Sequence, residues 1–239
     1  MKVREKLVAI IPARGGSKRI KNKNVINFLG RPIISYTIDL LKKTGIFEKI
    51  HVSTDSKKIC NIVEKNNLEI DFLRPKRLAN DKVGVYYVLK YVVEQYKSMN
   101  INFKAAALVY PCSPLLRKKD ILNSYKLLKK NKYQHPILSI SEFLSTPERS
   151  LSLEKNNFIK VDNVKKFRAR TQDLKKKYFD TGNLVFVPCN KIKQIVKNQN
   201  NKPCHKFVPY LLEKKRAIDI DTYEDLRFAE MLYKIDNKK

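Results

Sequence analysis

Two short stretches of this chain combine residue types suited to holding phosphate groups. The first is Ala13-Arg14-Gly15-Gly16-Ser17-Lys18-Arg19, followed by Lys23 and Asn24. Adjacent glycines let backbone N–H groups approach an anion closely, as in the concave nests that cradle phosphate. Arg14, Ser17, Lys18 and Lys23 would add charge-assisted bonds. The spacing matches neither G-x-x-x-x-G-K-[ST] nor G-x-G-x-x-G, so neither a Walker-type ATPase nor a dinucleotide binder is supported. The second stretch is Asp219-Ile220-Asp221. In an extended segment residues two apart share a face, so both carboxylates point one way and Ile220 the other. Such a pair suits Mg²⁺, which binds through one or two carboxylates plus substrate phosphate oxygens.

Regular elements must carry these residues to one place. Leu7–Ala13 is a near-continuous apolar run, as expected of a strand covered on both faces. It sets the glycine loop at a strand's carboxyl end, where open α/β sheets bind ligands. Pro32 is expected at a first helical position, with Ile34, Ile38 and Leu41 at helical spacing and Gly45 closing the helix. Lys49–Thr54 predicts a second strand, and a cap at Asp55 or Ser56 opens a helix bearing Ile59, Ile62 and Val63. Ile70–Leu73 predicts a third, short strand. Val85, Val88, Leu89, Val92, Val93 and Tyr96 form the apolar stripe of a helix from Gly84 to Met99. Ala105–Tyr110 predicts a fourth strand, ended by Pro111 and Pro114. Arg117–Lys130 follows as an amphipathic helix with Ile121, Tyr125 and Leu128 inward. This βαβα order predicts an α/β fold, a mostly parallel central sheet with helices on both faces.

From His135 to about Pro188 the pattern changes to short strands and loops, with a hairpin expected around Lys155-Asn156-Asn157 and a basic stretch over Lys165–Lys177. The last helix is expected from Thr222, with Asp225 as its capping-box partner. There is no internal repeat and no Gly/Ser linker. Residues 1–239 therefore read as one domain, with about 140–180 protruding from it.

The 239 residues carry 51 Lys+Arg against 23 Asp+Glu, a formal net charge of +28, which superficially advertises a nucleic-acid binder. Of those basic residues 39 are Lys and 12 are Arg, spread over nearly every helix. Phosphate and base recognition favours Arg, whose planar fork bonds bidentately. No zinc-finger, helix-turn-helix or RNP-like pattern is present, so no specific nucleic-acid partner is expected. At 43% hydrophobic residues the composition excludes a disordered chain. Cys60, Cys112, Cys189 and Cys204 form no C-x-x-C pair, and Cys204-His205 alone does not make a zinc site. No stretch is long enough to span a membrane. The apolar run after the basic N-terminus stops at Arg14 without a cleavage-site pattern and reads as a strand rather than a signal peptide. A reduced, cytoplasmic enzyme is the expectation.

The stretch Ile10-Ile11-Pro12-Ala13-Arg14-Gly15-Gly16-Ser17-Lys18-Arg19 with Lys23-Asn24 resembles the signature of the acylneuraminate (CMP-nonulosonic acid) cytidylyltransferase family. Further matches follow in order: Val52-Ser53-Thr54-Asp55, Leu73-Arg74-Pro75, Leu78-Ala79-Asn80-Asp81, Tyr110-Pro111-Cys112-Ser113-Pro114-Leu115 and Asp219-Ile220-Asp221-Thr222. Arg170-Thr171-Gln172-Asp173-Leu174 and Tyr178-Phe179-Asp180-Thr181-Gly182 are similar to the pseudaminic acid branch. Sialic acid enzymes tend to carry Asn at the position of Thr181 and Gln at that of Tyr110. Departures from the family pattern are Lys21, Lys82-Val83-Gly84, Cys112 and Lys175-Lys176.

The resemblance implies a nucleotide-diphospho-sugar transferase-like fold. It also implies an Mg²⁺-dependent reaction of CTP with an acidic nine-carbon sugar, pseudaminic acid favoured over legionaminic or sialic acid, giving the CMP-sugar and pyrophosphate. On that basis Ala13, Arg14, Gly15, Gly16, Ser17, Lys18, Lys23, Asn24, Arg74, Asp81, Pro111, Cys112 and Ser113 are expected to bind nucleotide. Arg14, Lys23 and Asp221 are expected to carry the chemistry, with Lys23 stabilising charge on leaving pyrophosphate. Asp219 and Asp221 would hold the metal. Tyr110, Arg149, Arg170, Gln172, Asp180, Thr181 and Gly182 are the sugar candidates. The protruding segment implies a homodimer in which some of these serve the neighbouring site. The proton acceptor stays open between an aspartate and metal-bound water or hydroxyl. Three other readings are a glycosyltransferase using D-x-D, a basic nucleic-acid-binding protein and an inactive homologue. D-x-D in glycosyltransferases usually follows an interior strand, unlike this C-terminal placement.

Overall fold

The computed structural model describes residues 5–155, 157–198 and 206–237. Asn156 of the expected hairpin and the Cys204-His205 pair lie outside the described residues. In chain order the strands are β1 (Leu7–Pro12), β2 (Asn27–Phe28), β3 (Arg31–Pro32), β4 (Lys49–Ser53), β5 (Ala105–Val109), β6 (Ile137–Glu142), β7 (Leu151–Leu153), β8 (Ile159–Val161), β9 (Tyr178–Pro188) and β10 (Val208–Leu211). The α-helices are α1 (Ile33–Thr44), α2 (Lys57–Lys65), α3 (Val85–Ser98), α4 (Lys118–Lys130), α5 (Val164–Arg168), α6 (Ile192–Asn198) and α7 (Tyr223–Asp236). Six strands make the central sheet in the order β10-β6-β9-β5-β1-β4. β1 runs parallel to β4 and β5, and β10 parallel to β6, while β9 runs antiparallel to both its neighbours.

The period-2 alternation of β1 explains the layering. Leu7, Ala9 and Ile11 face a core shared with α1, α2 and α4, whereas Val8 and Ile10 face one shared with α3 and α6. β5 does the same, with Ala105, Ala107 and Val109 on one side and Ala106 and Leu108 on the other. Alanines there let helices approach the sheet closely. A third cluster, holding Ile20, Phe28, Ile33, Cys112, Leu115, Ile220 and Leu226, backs the loops at the carboxyl ends of β1 and β5.

The helix expectations hold within a residue or two. Gly45 ends α1 in the left-handed region at φ 68, and Thr222 caps α7 with Asp225 as its reciprocal partner. Pro32 sits one residue before the helix, at its cap. β7 pairs with β8 across the expected hairpin. The exception is Ile70–Leu73, which is not a strand. A single backbone bond, Arg74 N–H to Thr54 O at 2.7 Å, ties its end to the chain after β4. Leu73 is exposed, and Phe72 stacks on His51 with ring centroids 4.3 Å apart. The apolar residues of this stretch serve a side-chain cluster instead of a ladder.

His51 itself is fully buried. Its Nδ1 lies 3.2 Å from the Tyr96 hydroxyl, which donates to Asp71 at 2.5 Å. Burial pushes the imidazole pKa down to about 4, against the opposing pull of Asp71. Between that value and the 6.5 of an unfolded histidine, the unfolded chain binds a proton the folded one refuses, so stability falls as pH drops through the window. Relative to pH 7, this group should remove about 2 kcal/mol by pH 5, at roughly 1.4 kcal/mol per unit. Urea unfolding at the two pH values should show that extra loss in the parent and not in His51→Gln. Equal losses in both would refute it.

Candidate active site

The charged and polar side chains of the two stretches meet across one cleft of about 570 Å³, while Ala13, Gly15 and Gly16 lie outside its lining. Its lining includes Arg14, Ser17, Lys18, Lys23, Asn24, Arg74, Asp81, Tyr110, Pro111, Cys112, Gly182, Asp219 and Asp221. Six segments converge there: the loop after β1, the irregular stretch around residues 74–83, the start of α3, the turn after β5, the middle of β9, and the strap before α7.

The loop after β1 is built around two anchors. Ala13 extends the β1–β4 ladder, its N–H donating to Ser53 O at 2.9 Å. The Gly15 N–H donates to the Asp55 carboxylate at 2.9 Å. A Cβ on Gly15 would stand 3.0 Å from the Ser56 Cβ, so any side chain there would push Ser56 aside. This arrangement differs from the expected nest. Asp55 occupies the Gly15 donor, and the Gly16 N–H keeps no partner among the described residues. Ser56 takes the cap position of α2 without a side-chain cap bond. Asn24 donates to Arg14 O at 2.9 Å and closes the loop on itself.

Two carboxylates face the cations of this loop. Asp81 pairs with Arg14, and with Lys18 at 2.6 Å. These two bonds hold its carboxyl below the usual carboxylate range. Asp221 pairs with Lys23 at 2.8 Å and with Arg19 at 2.5 Å. Lys23 also stands 4.0 Å from Asp219. Asp219 is pushed above the usual carboxylate range, first by burial and then by its neighbour Asp221, with Lys23 and Arg19 opposing. Ile220 between the aspartates is 1% exposed, so they straddle an apolar anchor as alternation predicted. Downstream, the Asp225 carboxylate accepts the Asp221 N–H at 3.0 Å. Among the described residues no group of three or more His, Cys, Asp or Glu is gathered to hold a metal.

Arg74 is buried, its Nε donating to Ser53 Oγ at 3.1 Å and its Nη2 to Ser53 O at 2.6 Å. Burial pushes its pKa down to about 10, with Asp55 opposing and Arg14 adding to the depression. The turn after β5 is fixed by Thr37, whose hydroxyl donates to Pro111 O at 3.1 Å. Cys112 is buried, and its thiol is pushed up to about 12 chiefly by burial. It is therefore a wall residue and not a nucleophile. Ser113 turns from the cleft, accepting from Asn183 Nδ2 at 3.0 Å.

The sugar candidates divide. Tyr110 and Gly182 line the cleft. Gly182 lies at φ +61, and a Cβ there would stand 3.4 Å from an Asp219 carboxylate oxygen. Forcing a side chain into that conformation costs about 1–2 kcal/mol. Gly182→Ala should lower the melting temperature by a few degrees through the strained backbone and also reduce turnover, because the added methyl takes up cleft space beside Asp219. A melt and a rate both matching the parent would refute the assignment. Asp180 accepts the Gly182 N–H at 3.0 Å and shapes this bend. Thr181 is fully buried and its hydroxyl bonds Ser139 at 2.7 Å, so it supports β9 from behind. Arg149, Arg170 and Gln172 belong to the exposed unit of β7, β8 and α5, outside the lining. Arg149 there lies over the Phe167 ring at 5.3 Å. Sequence reasoning passed over Arg19, although it stood in the quoted stretch. It also passed over Val85 and Val88 as part of the cleft's apolar wall, because helical spacing made them look like core alone.

A cation-rich loop at strand ends, facing paired carboxylates across a cleft in an α/β sheet, defines a nucleotide-handling transferase site. Comparison with known proteins gives the family. Residues 8–237 match the cytidylyltransferase family model, and the chain belongs to that family. It is 34% identical to the pseudaminic acid cytidylyltransferase of Campylobacter jejuni over 98% of each chain. It is 27% identical to the CMP-N,N'-diacetyllegionaminic acid synthase of Legionella pneumophila, again over 98% of each. Among solved structures, a CMP:2-keto-3-deoxy-manno-octonic acid synthetase complexed with CTP shares the fold, with a TM-score of 0.72, 12% identity, and coverage of 97% of this chain and 100% of that one. No helix among the described residues is long and apolar enough to cross a membrane.

Proposed function

We propose that this cleft joins CTP to a nonulosonic acid, with pseudaminic acid the preferred sugar, and releases pyrophosphate. The observation that carries the reading is the meeting of Arg19 and Lys23 with Asp221 across one cleft. It brings the phosphate-binding loop to the carboxylate strap, as nucleotidyl transfer to an alcohol requires. The sugar's anomeric hydroxyl forms a bond to the α-phosphorus while the bond to pyrophosphate breaks, so the protein's task is alignment and neutralisation of charge. Arg14, Ser17, Lys18 and the Gly16 N–H lie along the triphosphate, and Lys23 meets charge developing on pyrophosphate. Arg74, Pro111 and Cys112 wall the nucleoside, and Tyr110 and Gly182 the sugar.

Asp219 and Asp221 would hold Mg²⁺. Their mutual repulsion, which adds to burial in raising the proton affinity of Asp219, is what a divalent ion relieves, and two carboxylates leave positions for phosphate oxygens and water. The ion would supply charge neutralisation at the phosphates. The preference for pseudaminic acid rests on the Campylobacter likeness over the full length and on Tyr110 and Thr181. The Legionella relative makes a legionaminic acid the second sugar to test.

Residues 1–239 act as one domain in this reading, with about 140–180 as a dimerisation arm. Exposed Leu144, Leu151, Leu153, Ile159 and Val164 support this, since apolar patches of this kind mark partner surfaces. Arg149, Arg170 and Gln172 on that arm then serve the neighbouring subunit's sugar site. The enzyme works in the cytoplasm.

The test is pyrophosphate release from CTP and Mg²⁺ with a panel of pseudaminic, legionaminic and sialic acids. Turnover fastest with pseudaminic acid is expected. No release with any of them would overturn the reading, and a faster legionaminic or sialic rate would overturn the sugar preference.

A further inference from the structure

The strap carrying Asp219 and Asp221 has no ladder and no helix of its own between residues 217 and 221. Its placement must come from side chains. Just upstream, Arg216 is 3% exposed and its Nη1 is bonded to Asp120, which is 0% exposed. Arg216 Nη2 also reaches Glu213 at 3.1 Å. Asp120 is shared three ways. It accepts the Arg117 N–H at 2.8 Å, where α4 begins, and the Tyr210 hydroxyl of β10 at 2.7 Å. Arg117 follows directly on the Pro111–Leu116 turn that walls the cleft, so this buried pair joins the turn after β5 to the carboxylate strap.

A buried ion pair is a poor source of stability, because taking both charges out of water offsets much of their attraction. What it supplies is a fixed register, since a fork bonded to a shared carboxylate fits in one orientation. Other ties act on the strap: Ile220 packs in the apolar cluster that also holds Cys112 and Leu115, the Asp221 N–H rests on Asp225, and Lys23 and Arg19 pair with Asp221. The Asp120–Arg216 pair adds a bonded fork that ties it to the start of α4. We infer that Asp120 and Arg216 are positioning residues that set Asp219 and Asp221 against the wall formed by Tyr110, Pro111 and Cys112. The role rests on the reading of those aspartates given above. It predicts a loss in the chemical step rather than in nucleotide binding, since Arg14, Lys18 and Arg74 do not depend on this tie.

Three variants test it: Arg216→Lys, Arg216→Met, and Arg216→Met combined with Asp120→Leu. The lysine keeps the charge beside Asp120 and loses the fork. In Arg216→Lys, kcat should fall by about tenfold to 100-fold, the cost of misplacing reacting groups by up to an ångström. KM for CTP should stay within about threefold, as expected when only a transition-state contact is lost. Arg216→Met alone leaves Asp120 charged and buried, and should be markedly less stable. The double variant removes both charges and should regain much of that stability, yet its kcat should stay low. Recovery of kcat along with stability would show the pair to be structural only. If the double variant does not fold, an unchanged kcat in Arg216→Lys overturns the proposal by itself.

Amide hydrogen exchange supplies a readout free of turnover. Residues 217–221 should exchange faster in Arg216→Lys while β5 keeps its protection, and unchanged exchange in the strap would overturn the clamp. A parent enzyme inactive toward every sugar would defeat the proposed function while leaving this exchange result to decide the clamp.

Discussion

Asp221→Asn should lower the rate of pyrophosphate release by about 100-fold to 1,000-fold, the scale seen when one preorganised electrostatic group is removed from an active site. The substitution is nearly isosteric, so the shape of the strap survives. The contact that orients it, the Asp221 N–H on the Asp225 carboxylate at 3.0 Å, is a backbone bond that the change leaves intact. What disappears is charge. Asp221 is the carboxylate on which Lys23 and Arg19 both converge, at 2.8 and 2.5 Å, and a neutral amide offers them and a divalent ion only an uncharged carbonyl oxygen. Asp219→Asn should cost less, because Asp219 lies farther from Lys23, at 4.0 Å. The checks are a steady-state rate across a range of Mg²⁺ concentrations and a thermal melt within a few degrees of the parent. A folded Asp221→Asn with a rate within tenfold of the parent would remove the strap from the reaction.

The parts of this site that were legible in the sequence are local ones. Alternation along β1 placed the glycine loop at a strand end, and alternation across Asp219-Ile220-Asp221 put two carboxylates on one side of a buried isoleucine. Both follow from the geometry of a few consecutive residues. What stayed hidden depends on contacts between distant segments. Nothing near Gly15 announces that Asp55 takes its N–H, nor does anything near Arg19 announce a partner at Asp221. Asp120 read as one more polar position in an amphipathic helix, and Arg216 as one more basic residue among many. Ile70–Leu73 misled for a related reason. Its apolar residues looked like a strand, but Phe72 is used against His51 and Tyr96, and a strand also needs a partner edge. Thr181, read as a branch marker, faces Ser139 behind the sheet and is not a contact residue of the cleft. The net charge of +28 told least, since beyond about 8 Å surface charges are largely screened at physiological salt. In the proposed reaction only a handful of cations, those facing Asp81 and Asp221, take part.

Lys23→Met should reduce kcat by about 100-fold to 1,000-fold, with a smaller rise in KM for CTP. Lys23 has 19% of its side chain exposed and stands between the two aspartates. It rises from a single helical turn, Lys23–Val25, begun by Asn22 in the left-handed region at φ 56. Such a placement gives one ammonium a fixed direction, which is what preorganised stabilisation of a developing charge requires. Ground-state attraction for the triphosphate is shared with Arg14, Lys18 and Arg19, so losing one cation of the group affects binding less than catalysis. A second effect follows from the carboxylates. Lys23 is the largest of the influences holding the proton affinity of Asp219 down, against burial and Asp221, which push it up. Removing the ammonium therefore raises the pKa of Asp219 further. A carboxylate that must be ionised to work is lost on the acid side of its pKa, so the acid limb of the pH–rate profile should move to higher pH in Lys23→Met. Lys23→Arg keeps the charge and should hold the limb near its parent position, while recovering only part of kcat because the planar fork does not reproduce a compact ammonium. An acid limb that stays in place in Lys23→Met would separate Lys23 from the carboxylate pair, and a kcat within threefold of the parent would remove it from the chemical step.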